Sequence, residues 1–451
     1  MRHHDLIILG AGSGNTLLSP DFDDVDVAII ERDTFGGTCL NRGCIPSKMF
    51  VYAADVAETV RHGHALGVDA AVTGVRWRDI VDRVFGRIDP IAQGGEDYRR
   101  RLDNVTVYPG DAHFVAERVL EVDGERLTAP DVVIAAGARP FVPEIPGIDT
   151  VPHHTSDTVM RLPELPGRML IVGGGFIAAE LAHVFGGLGT DVTIVHRRDV
   201  LLGAEDRDVS RAFTDRYAER FDLRMKTVVE GFAMDGGSIV AALAGDRGGE
   251  LPVDVVLIAT GRVPNGDQLN LPATGLSVGE DGYLPTDPFL RTGVEGIWAL
   301  GDVTNPAQLK HTANEEARVL AHNLIHPDDM REVDLWPTPH AVFASPQVAA
   351  VGPTSQELDA SGRDYVSSVR PYADTAYGWA MEDRHSFCKV LADPETRLLL
   401  GAHIIGPHAP TLLQQLVQGM RFGQTVDQMA RGQLWTHPAM PEVVEQALLS
   451  L

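Results

Sequence analysis

The chain has 451 residues, and its 38 basic against 63 acidic side chains give a formal net charge of −25. This charge disfavours nucleic acid and anionic membranes as partners, while the 44% apolar share excludes wholesale disorder. No apolar run approaches the roughly 18–20 residues that cross a bilayer. Three cysteines are too few for a disulfide-stapled secreted protein. We therefore expect a cytoplasmic protein of about three domain-sized units.

Two short apolar strands, in residues 5–15 and 169–180, each run into a glycine turn and then a helix. Continuous apolar strands of this kind suit a parallel sheet that is buried on both faces. The second copy continues into a predicted helix at 177–188 and a strand at 191–196, which makes a βαβ unit. The pattern predicts an α/β fold with two Rossmann-like dinucleotide-binding domains and an α+β C-terminal domain.

Proline-rich joints and glycine-ended strands indicate where the domains divide. Further helices are predicted near 312–325, 411–423 and 442–449. The predicted divisions are a first nucleotide domain over 1–150, a second over 151–262, completion of the first over 263–335, and the C-terminal domain over 336–451.

The first glycine turn carries Gly10 and Gly12 in the first two positions of a dinucleotide fingerprint. The last position holds Asn15 instead of Gly or Ala, and Gly14 adjoins it. Such glycines let a pyrophosphate approach the backbone N–H groups of a helix N-terminus. Glu31 ends the next strand at the spacing from which a carboxylate accepts from ribose hydroxyls. The alternative is a strand end that is acidic by chance.

The second turn places Gly173, Gly175 and Ala178 at the same three positions. The following strand ends not in an acid but in His-Arg-Arg at 196–198. A carboxylate there would repel a 2′-phosphate, whereas the guanidinium groups of Arg197 and Arg198 can pair with it. The residues favour NADPH over NADH, although adjacent arginines can also form a merely solvated cluster.

Residues 35–48, FGGTCLNRGCIPSK, form the most specific segment of the chain. Four residues separate Cys39 from Cys44, which is the spacing of neither a zinc knuckle nor a thioredoxin-like site. In one regular helix their Cα atoms would lie about 7.5 Å apart along the axis, beyond the roughly 4.4–6.8 Å of a disulfide. A bridge therefore requires a distorted helix start, which Gly43 and Pro46 would permit. Lys48, about one turn beyond Cys44, can favour a thiolate or a charged flavin.

His437 and Glu442 lie near the C-terminus in the segment WTHPAMPE. Pro441 suits a first helical position, and Glu442 suits the positive end of the helix dipole. Thiol–disulfide exchange needs a group of near-neutral pKa to carry the proton of the leaving thiol, and histidine is suited to that role. From spacing alone, a structural histidine is the commoner alternative.

Together these residues resemble the pyridine nucleotide–disulfide oxidoreductases of the glutathione reductase and dihydrolipoamide dehydrogenase type, over essentially the whole chain. The resemblance rests on the two nucleotide turns and on motifs at 36–48, 259–265, 301–303 and 437–442. It implies FAD in the first domain, NADPH in the second, and an obligate homodimer with the C-terminal domain as its interface. Segments 83–90, 376–383 and 430–435 are most similar to the branch that reduces mycothiol disulfide.

The resemblance also implies roles for individual residues. Cys39 would attack the substrate disulfide, and Cys44 would lie beside the flavin. Lys48 and Glu180 would match the ion pair beside flavin N5. His437, with Glu442, would serve as acid and base for the cysteines of the opposite subunit.

Further positions match the family's cofactor contacts. Asp302 would bond the ribityl chain, and the helix start around His311 would face the flavin pyrimidine. Phe176 stands where glutathione reductase has a gating tyrosine, so a ring remains without its hydroxyl. The residues expected to bind the two cofactors are Gly10, Gly12, Gly14, Asn15, Glu31, Gly37, Thr38, Gly137, Gly173, Gly175, Phe176, Ile177, Ala178, Arg197, Arg198, Gly261, Gly301, Asp302 and His311.

Several alternatives stay open at this point. Dihydrolipoamide dehydrogenase shares the cysteine motif but normally uses NAD, and the missing acid at His196 counts against it. Mercuric reductase usually carries a C-terminal cysteine pair, whereas no cysteine follows Cys388, which we expect to be a packing residue. Glutathione reductase fits the motifs less well. A flavoprotein without turnover would require loss of the cysteines or of His437, and a zinc site lacks a second cysteine pair.

Overall fold

The computed structural model describes residues 1–451, and these divide into two compact units. The first unit comprises Met1–Pro46, Val81–Phe141 and Arg262–Leu335, and the second comprises Ser47–Ile80, Val142–Gly261 and Trp336–Leu451. None of the helices combines the length and the apolar character that a membrane span requires.

The structure contains eleven α-helices, and four of them lie at positions predicted from the sequence. The eleven helices are α1 Gly37–Asn41, α2 Cys44–His62, α3 Trp77–Arg100, α4 Phe176–Leu188, α5 Arg207–Ala218, α6 Lys310–Ile325, α7 Ser355–Ser361, α8 Ala376–Ala380, α9 Ala409–Arg421, α10 Val426–Arg431 and α11 Glu442–Leu449. The helices predicted at 177–188 and 442–449 are confirmed as α4 and α11, α4 starting one residue earlier. Those predicted near 312–325 and 411–423 are confirmed as α6 and α9, each beginning two residues earlier.

The first unit is built around a five-stranded sheet in which all strands are parallel. In spatial order its strands are Ile297–Ala299, Asp131–Ile134, Leu6–Leu9, Val27–Glu31 and Val105–Pro109. All four residues of Leu6–Leu9 are buried, as expected for a central parallel strand covered on both faces. The unit also contains a four-stranded sheet of Arg2–His3, Glu125–Thr128, Val119–Val122 and Ala112–Ala116, and a strand pair of Arg262–Pro264 with Ala138–Pro140.

The second unit contains a second five-stranded parallel sheet. Its strands in spatial order are His153–His154, Val255–Ile258, Arg168–Val172, Asp191–His196 and Asp222–Met225. A three-stranded antiparallel sheet of Thr227–Asp235, Ser238–Gly245 and Gly249–Val253 adjoins it in sequence. The predicted βαβ unit is confirmed, because Arg168–Val172, α4 and Asp191–His196 follow one another and the two strands pair in parallel.

The C-terminal part of the second unit is an antiparallel sheet with helices packed on it, which confirms the predicted α+β class. Its strands in spatial order are Pro339–Val342, Val348–Val351, Leu399–Ile405, Phe387–Ala392 and Val366–Pro371. The apolar sides of α9 and α11 share one buried core with this sheet. Leu416 and Val443 are fully buried there.

Candidate active site

Cys39 and Cys44 are joined by a disulfide, and their Cα atoms lie 4.6 Å apart. The helix breaks between them: Cys39 lies in α1, which ends at Asn41, and Cys44 is the first residue of α2. At Gly43 a Cβ atom would lie 3.0 Å from the carbonyl oxygen of Thr38 and 3.4 Å from the Cα of Cys39. The predicted distortion is therefore confirmed, and the break brings the two thiols together.

Asn41 holds the turn that carries Cys39, although sequence reasoning did not single it out. Its buried side-chain amide donates to the carbonyl oxygens of Thr34, Phe35 and Gly37 at 3.1, 3.0 and 3.1 Å. Three donations from one short amide fix the backbone before and within α1. The position of Asn41 between the two cysteines was the only signal that sequence offered.

Lys48 and Glu180 form an ion pair between α2 and α4. The Nζ of Lys48 lies 2.8 and 2.7 Å from the two carboxylate oxygens of Glu180. The Glu180 side chain is 6% exposed, whereas that of Lys48 is 35% exposed. Phe343, which sequence reasoning missed, donates its backbone N–H to Glu180 Oε1 at 2.9 Å and places its ring centroid 4.7 Å from Lys48 Nζ. The carboxylate is fixed from two sides while the ammonium remains accessible.

The first glycine turn is packed tightly against the start of α1. Gly37 has φ +69°, and a Cβ atom there would lie 2.6 Å from the Cα of Gly12. Glu31 ends its strand as predicted, and its Oε2 accepts from the Ala11 N–H at 2.8 Å. Its Oε1 accepts from the Asp33 N–H at 3.0 Å. The carboxylate therefore lies at the turn itself, where a ribose hydroxyl can approach it.

The unusual Asn15 of this turn has a partner that the sequence did not reveal. Arg99, near the end of α3, donates from Nε to Asn15 Oδ1 at 2.7 Å and from Nη2 to the Asn15 carbonyl oxygen at 3.0 Å. The side chain of Asn15 thus helps to fix a guanidinium group beside the glycine turn. Gly or Ala at this position would have no side-chain oxygen to accept from Arg99. Gly14 is buried, and a Cβ atom there would meet Ile8 and Ala135 at 2.8 Å.

The predicted ribityl carboxylate, Asp302, lies in a turn that a second acid holds. Glu316 of α6 accepts from the Gly301 N–H at 2.6 Å and from the side chain of Asn305 at 2.7 Å. Burial raises the pKa of Asp302, although the cationic Lys310 acts in the opposite direction. Glu316 was missed because its partners lie in a loop that precedes its helix.

The beginning of α6 is polar and reaches back to the first glycine turn. Lys310, the first residue of α6, donates to Ser13 Oγ at 2.9 Å. Burial lowers the pKa of the Lys310 ammonium, and the opposing attraction of Asp302 offsets only part of this effect. His311 follows as an exposed residue of the first helical turn. The N–H groups of this turn have no partners within the helix and can donate to a carbonyl oxygen of a ligand.

The second glycine turn opens α4. At Gly173, with φ +141°, a Cβ atom would lie 2.1 Å from the carbonyl oxygen of Ala259, so only glycine fits. Gly175 is the residue before the helix, and nothing lies within 4 Å of its Cβ position. Phe176 begins α4 and is 51% exposed. Ile177 and Ala178 complete its first turn.

The strand after α4 ends at His196 as predicted. Arg197 and Arg198 are both exposed, and no carboxylate of the chain pairs with either one. Burial, with added effects of Arg198 and Arg197, lowers the pKa of His196. The two guanidinium groups are therefore available to an anionic ligand.

Two of the remaining predicted positions, Gly137 and Gly261, follow strands of the parallel sheets. Gly137 follows Asp131–Ile134 in the first unit, and its carbonyl oxygen accepts from the Asn265 N–H at 3.0 Å. Gly261 follows Val255–Ile258 in the second unit. Thr38, in α1, accepts from the Arg42 N–H at its carbonyl oxygen.

His437 and Glu442 form a pair at the start of α11. The Nδ1 of His437 lies 2.8 Å from Glu442 Oε1, and the histidine side chain is 68% exposed while that of the glutamate is 10% exposed. The other oxygen, Glu442 Oε2, is buried without a partner. Pro441 precedes the helix instead of occupying its first position. The pair leaves the Nε2 of His437 facing outward.

Cys388 is fully buried in the C-terminal sheet. Burial raises the pKa of its thiol to about 12. The prediction that it is a packing residue is confirmed.

The disulfide has to be reduced before its thiols can act. The second glycine turn opens onto α4, whereas the first leads only into the 3-10 helix Gly14–Leu17 and not into the longer helix predicted there. Both turns can bind dinucleotides that supply the electrons. This combination defines a nucleotide-dependent disulfide oxidoreductase. The comparison with known families agrees, and the chain belongs to the pyridine nucleotide-disulphide oxidoreductases, whose family model matches residues 4–317. The model of the family's dimerisation domain matches residues 338–448.

Similar proteins span the whole chain. It is 48% identical over 462 aligned residues to a mycothione reductase of Mycobacterium tuberculosis, covering 100% of both chains. It is 34% identical to a dihydrolipoyl dehydrogenase of Halobacterium salinarum, covering 98% of this chain and 95% of that protein. Among solved structures, the flavoprotein disulfide reductase RclA of Escherichia coli, as a Cu(II) complex, matches with a TM-score of 0.88, 27% identity and full coverage of both chains.

The family membership confirms the predicted class of a disulfide oxidoreductase that uses FAD and a pyridine nucleotide. The residues fit this pair of cofactors. In the first unit, a Cβ atom at Gly37 would lie 2.6 Å from the Cα of Gly12, so the backbone of the turn is free of a side chain there. In the second, the Gly175 turn is open, and Arg197 and Arg198 are free to bind phosphate.

Proposed function

We propose that the chain reduces mycothiol disulfide to two molecules of mycothiol with NADPH, as a homodimer. The observation that carries this proposal is full-length identity of 48% to a mycothione reductase, joined to a disulfide at Cys39–Cys44. In this proposal residues 1–150 and 263–335 bind FAD, residues 151–262 bind NADPH, and residues 336–451 form the dimer interface.

The first glycine turn would hold FAD and the second NADPH, and this pair would supply the two electrons that reduce the Cys39–Cys44 disulfide. The Cys39 thiolate then attacks one sulfur of the substrate, forms a mixed disulfide and breaks the substrate S–S bond. The departing thiolate takes a proton from Nε2 of the partner subunit's His437. Cys44 next attacks the Cys39 sulfur, which restores the protein disulfide and releases the second half of the substrate as a thiolate. A proton from solvent converts this thiolate to the second thiol, and another returns to His437.

The arrangement at His437 supports its role as the proton carrier. Its Nδ1 is bonded to Glu442, so Nε2 is the nitrogen that exchanges protons with a ligand. The carboxylate orients the ring. Because the ring is largely exposed, a thiolate of a bound substrate can reach it.

Steady-state oxidation of NADPH and NADH, each with mycothiol disulfide, glutathione disulfide or lipoamide, tests the proposal. We expect turnover mainly with NADPH and mycothiol disulfide. A preference for NADH with lipoamide would overturn the proposal and assign the chain to the dihydrolipoamide dehydrogenase branch.

Removing both phosphate-binding arginines tests the nucleotide preference separately. In the double variant Arg197→Ala/Arg198→Ala, the KM for NADPH should rise about 10- to 100-fold, which corresponds to a total loss of about 1.5–3 kcal/mol, the value of one hydrogen bond between charged groups. The loss is not larger because both arginines are exposed to solvent. The KM for NADH should change less than about twofold. Arg211→Ala, which removes an exposed arginine of α5, is the matched control. Equal effects on both nucleotides would mean that the arginines bind no 2′-phosphate.

A further inference from the structure

Three charged or polar side chains of the second unit interact in a row, and two of them belong to α2 and α4, the helices that carry Lys48 and Glu180. His183 of α4 is fully buried. Its Nε2 lies 2.8 Å from Oδ1 of Asp55 in α2, and its Nδ1 lies 3.3 Å from Nη2 of Arg220, which follows α5. The sequence motifs include none of these three residues, and the proposed mechanism gives none of them a role.

The partners of His183 fix its tautomer. A guanidinium group has only donors, so Nδ1 has to accept from Arg220. Nε2 therefore carries the hydrogen and donates to the carboxylate of Asp55. The imidazole thus connects a carboxylate at one end to a guanidinium at the other.

Arg220 continues the row into the C-terminal part of the unit. Its Nη1 donates to the carbonyl oxygen of Ser345 at 2.7 Å, and its Nη2 also lies 3.3 Å from Oε1 of Glu58. The Arg220 side chain is 18% exposed and that of Glu58 is 14% exposed. These charges are largely removed from water, so each depends on the others for its partners.

The same three segments are joined a second time by the Lys48–Glu180 pair. Lys48 and Asp55 are seven residues apart in α2 and lie on the same face. Glu180 and His183 are three residues apart in α4 and are neighbours on its surface. The third segment contributes a backbone group to each row: the Phe343 N–H bonds Glu180, and the Ser345 carbonyl oxygen bonds Arg220.

We propose that Asp55, His183 and Arg220 form a positioning relay that holds the Lys48–Glu180 pair and the backbone of Phe343 in place for reduction of the flavin by the nucleotide. This inference rests on the proposed function, because it gives the pair its role beside the flavin. Without the relay, only the Lys48–Glu180 pair and its bond to the Phe343 N–H still connect α4 and the 343–345 segment to α2. The Glu180 carboxylate and the Lys48 ammonium then occupy a wider range of positions, and the half-reaction that depends on them slows.

Stopped-flow kinetics of the FAD-loaded His183→Leu enzyme test this proposal. We expect flavin reduction by NADPH to slow about tenfold, while reoxidation by the disulfide substrate changes less than about twofold. The midpoint potential of the bound flavin should fall, because a less constrained ammonium stabilises the reduced, anionic flavin less well. Asp55→Asn keeps an acceptor for Nε2–H and should remain close to wild type, whereas Asp55→Ala should behave like His183→Leu.

His403→Leu is the matched control, because His403 is equally buried, at 1% exposure, and bonds only the Pro353 carbonyl oxygen. A comparable loss of stability in both variants, with slowed flavin reduction in His183→Leu alone, supports the relay. Equal slowing of both half-reactions, or an unchanged potential, would overturn it. If neither nucleotide reduces the wild-type flavin, the proposed function fails, and the midpoint potential of the variants still decides the relay.

Discussion

The second unit contains two lysine–carboxylate pairs, Lys48–Glu180 and Lys389–Asp206, whose shortest N–O distances are 2.7 and 2.8 Å. Their surroundings differ. Lys389 is 6% exposed and Asp206 is fully buried, and the three donors of the ammonium all have oxygen partners: Asp206 at 2.8 Å, Asp208 at 2.6 Å and Ser355 at 3.1 Å. No N–H of the Lys389 ammonium group remains for a ligand.

The carboxylate of Asp206 is equally saturated. Its Oδ2 accepts from the Ser355 N–H at 2.9 Å and from the Ser355 hydroxyl at 2.6 Å, and its Oδ1 accepts from the Asp208 N–H at 3.0 Å. Burial opposes its ionised form, but the bonds from Lys389 and Ser355 outweigh burial and hold its pKa at about 2. This pair joins the start of α5 to α7 and to the C-terminal sheet.

Lys48 is the contrasting case, because its side chain is 35% exposed. Its ammonium group rests on the ring of Phe343 and has Ser47 Oγ, at 3.3 Å, as its oxygen partner besides Glu180. Its carboxylate partner is buried and oriented, whereas the cation still faces outward. The difference teaches that distance alone does not separate a structural ion pair from a functional one. A saturated pair stabilises the fold, and a pair with one accessible charge can act on a ligand.

Replacing Lys389 should have the largest effect on stability. Lys389→Met leaves Asp206 ionised, buried and without its cation, which costs about 3–5 kcal/mol of unfolding free energy. Urea denaturation of the FAD-loaded protein measures this loss, and kcat per folded molecule should change less than about twofold. Lys226→Met, at an exposed lysine, should cost less than about 0.5 kcal/mol. A loss below about 1 kcal/mol in Lys389→Met would remove the distinction between the two pairs.

Replacing Lys48 should slow the reaction as well as weaken the fold. Lys48→Met should slow flavin reduction about 100-fold, which is the usual cost of removing one preorganised electrostatic group. The unfolding free energy should also fall by up to about 3–5 kcal/mol, because Glu180 is buried and loses its cation, so the rate of flavin reduction is the property that separates this variant from Lys389→Met. Stopped-flow reduction and urea denaturation of the same preparation give both values. Unchanged reduction together with a stability loss like that of Lys389→Met would place Lys48 in the structural class.

The fold and the cysteine site could be predicted because their signals are local. The strand at 191–196 and the helix at 442–449 follow from apolar periodicity and helix-stop residues in one stretch of chain. The helix break between Cys39 and Cys44 followed from Gly43 and from the reach of a disulfide. These features need no knowledge of distant segments.

The ion-pair partners depend on contacts that no local pattern encodes. Lys48 and Glu180 are 132 residues apart, and only the family resemblance joined them. His183 and Asp55 are 128 residues apart, and Lys389 and Asp206 are 183 residues apart. A single buried histidine or lysine looks in sequence like any surface residue, because its burial is decided by the packing of other segments.

The pH dependence of the unfolding free energy tests the charge of the saturated Lys389–Asp206 pair, and it is the smallest of the effects that we expect. The pKa of Asp206 is depressed on folding, to about 2, so its ionised form stabilises the folded state fully above the unfolded value of about 4. That contribution, about 2 kcal/mol, is lost as pH falls from about 4 to about 2. The difference in unfolding free energy between wild type and Asp206→Asn should therefore be constant from pH 7 to pH 5 and should shrink below pH 4. Urea denaturation of both FAD-loaded proteins at several pH values measures it. A difference that stays constant down to pH 3 would mean that the saturated pair stabilises the fold by packing and hydrogen bonding, and not by charge.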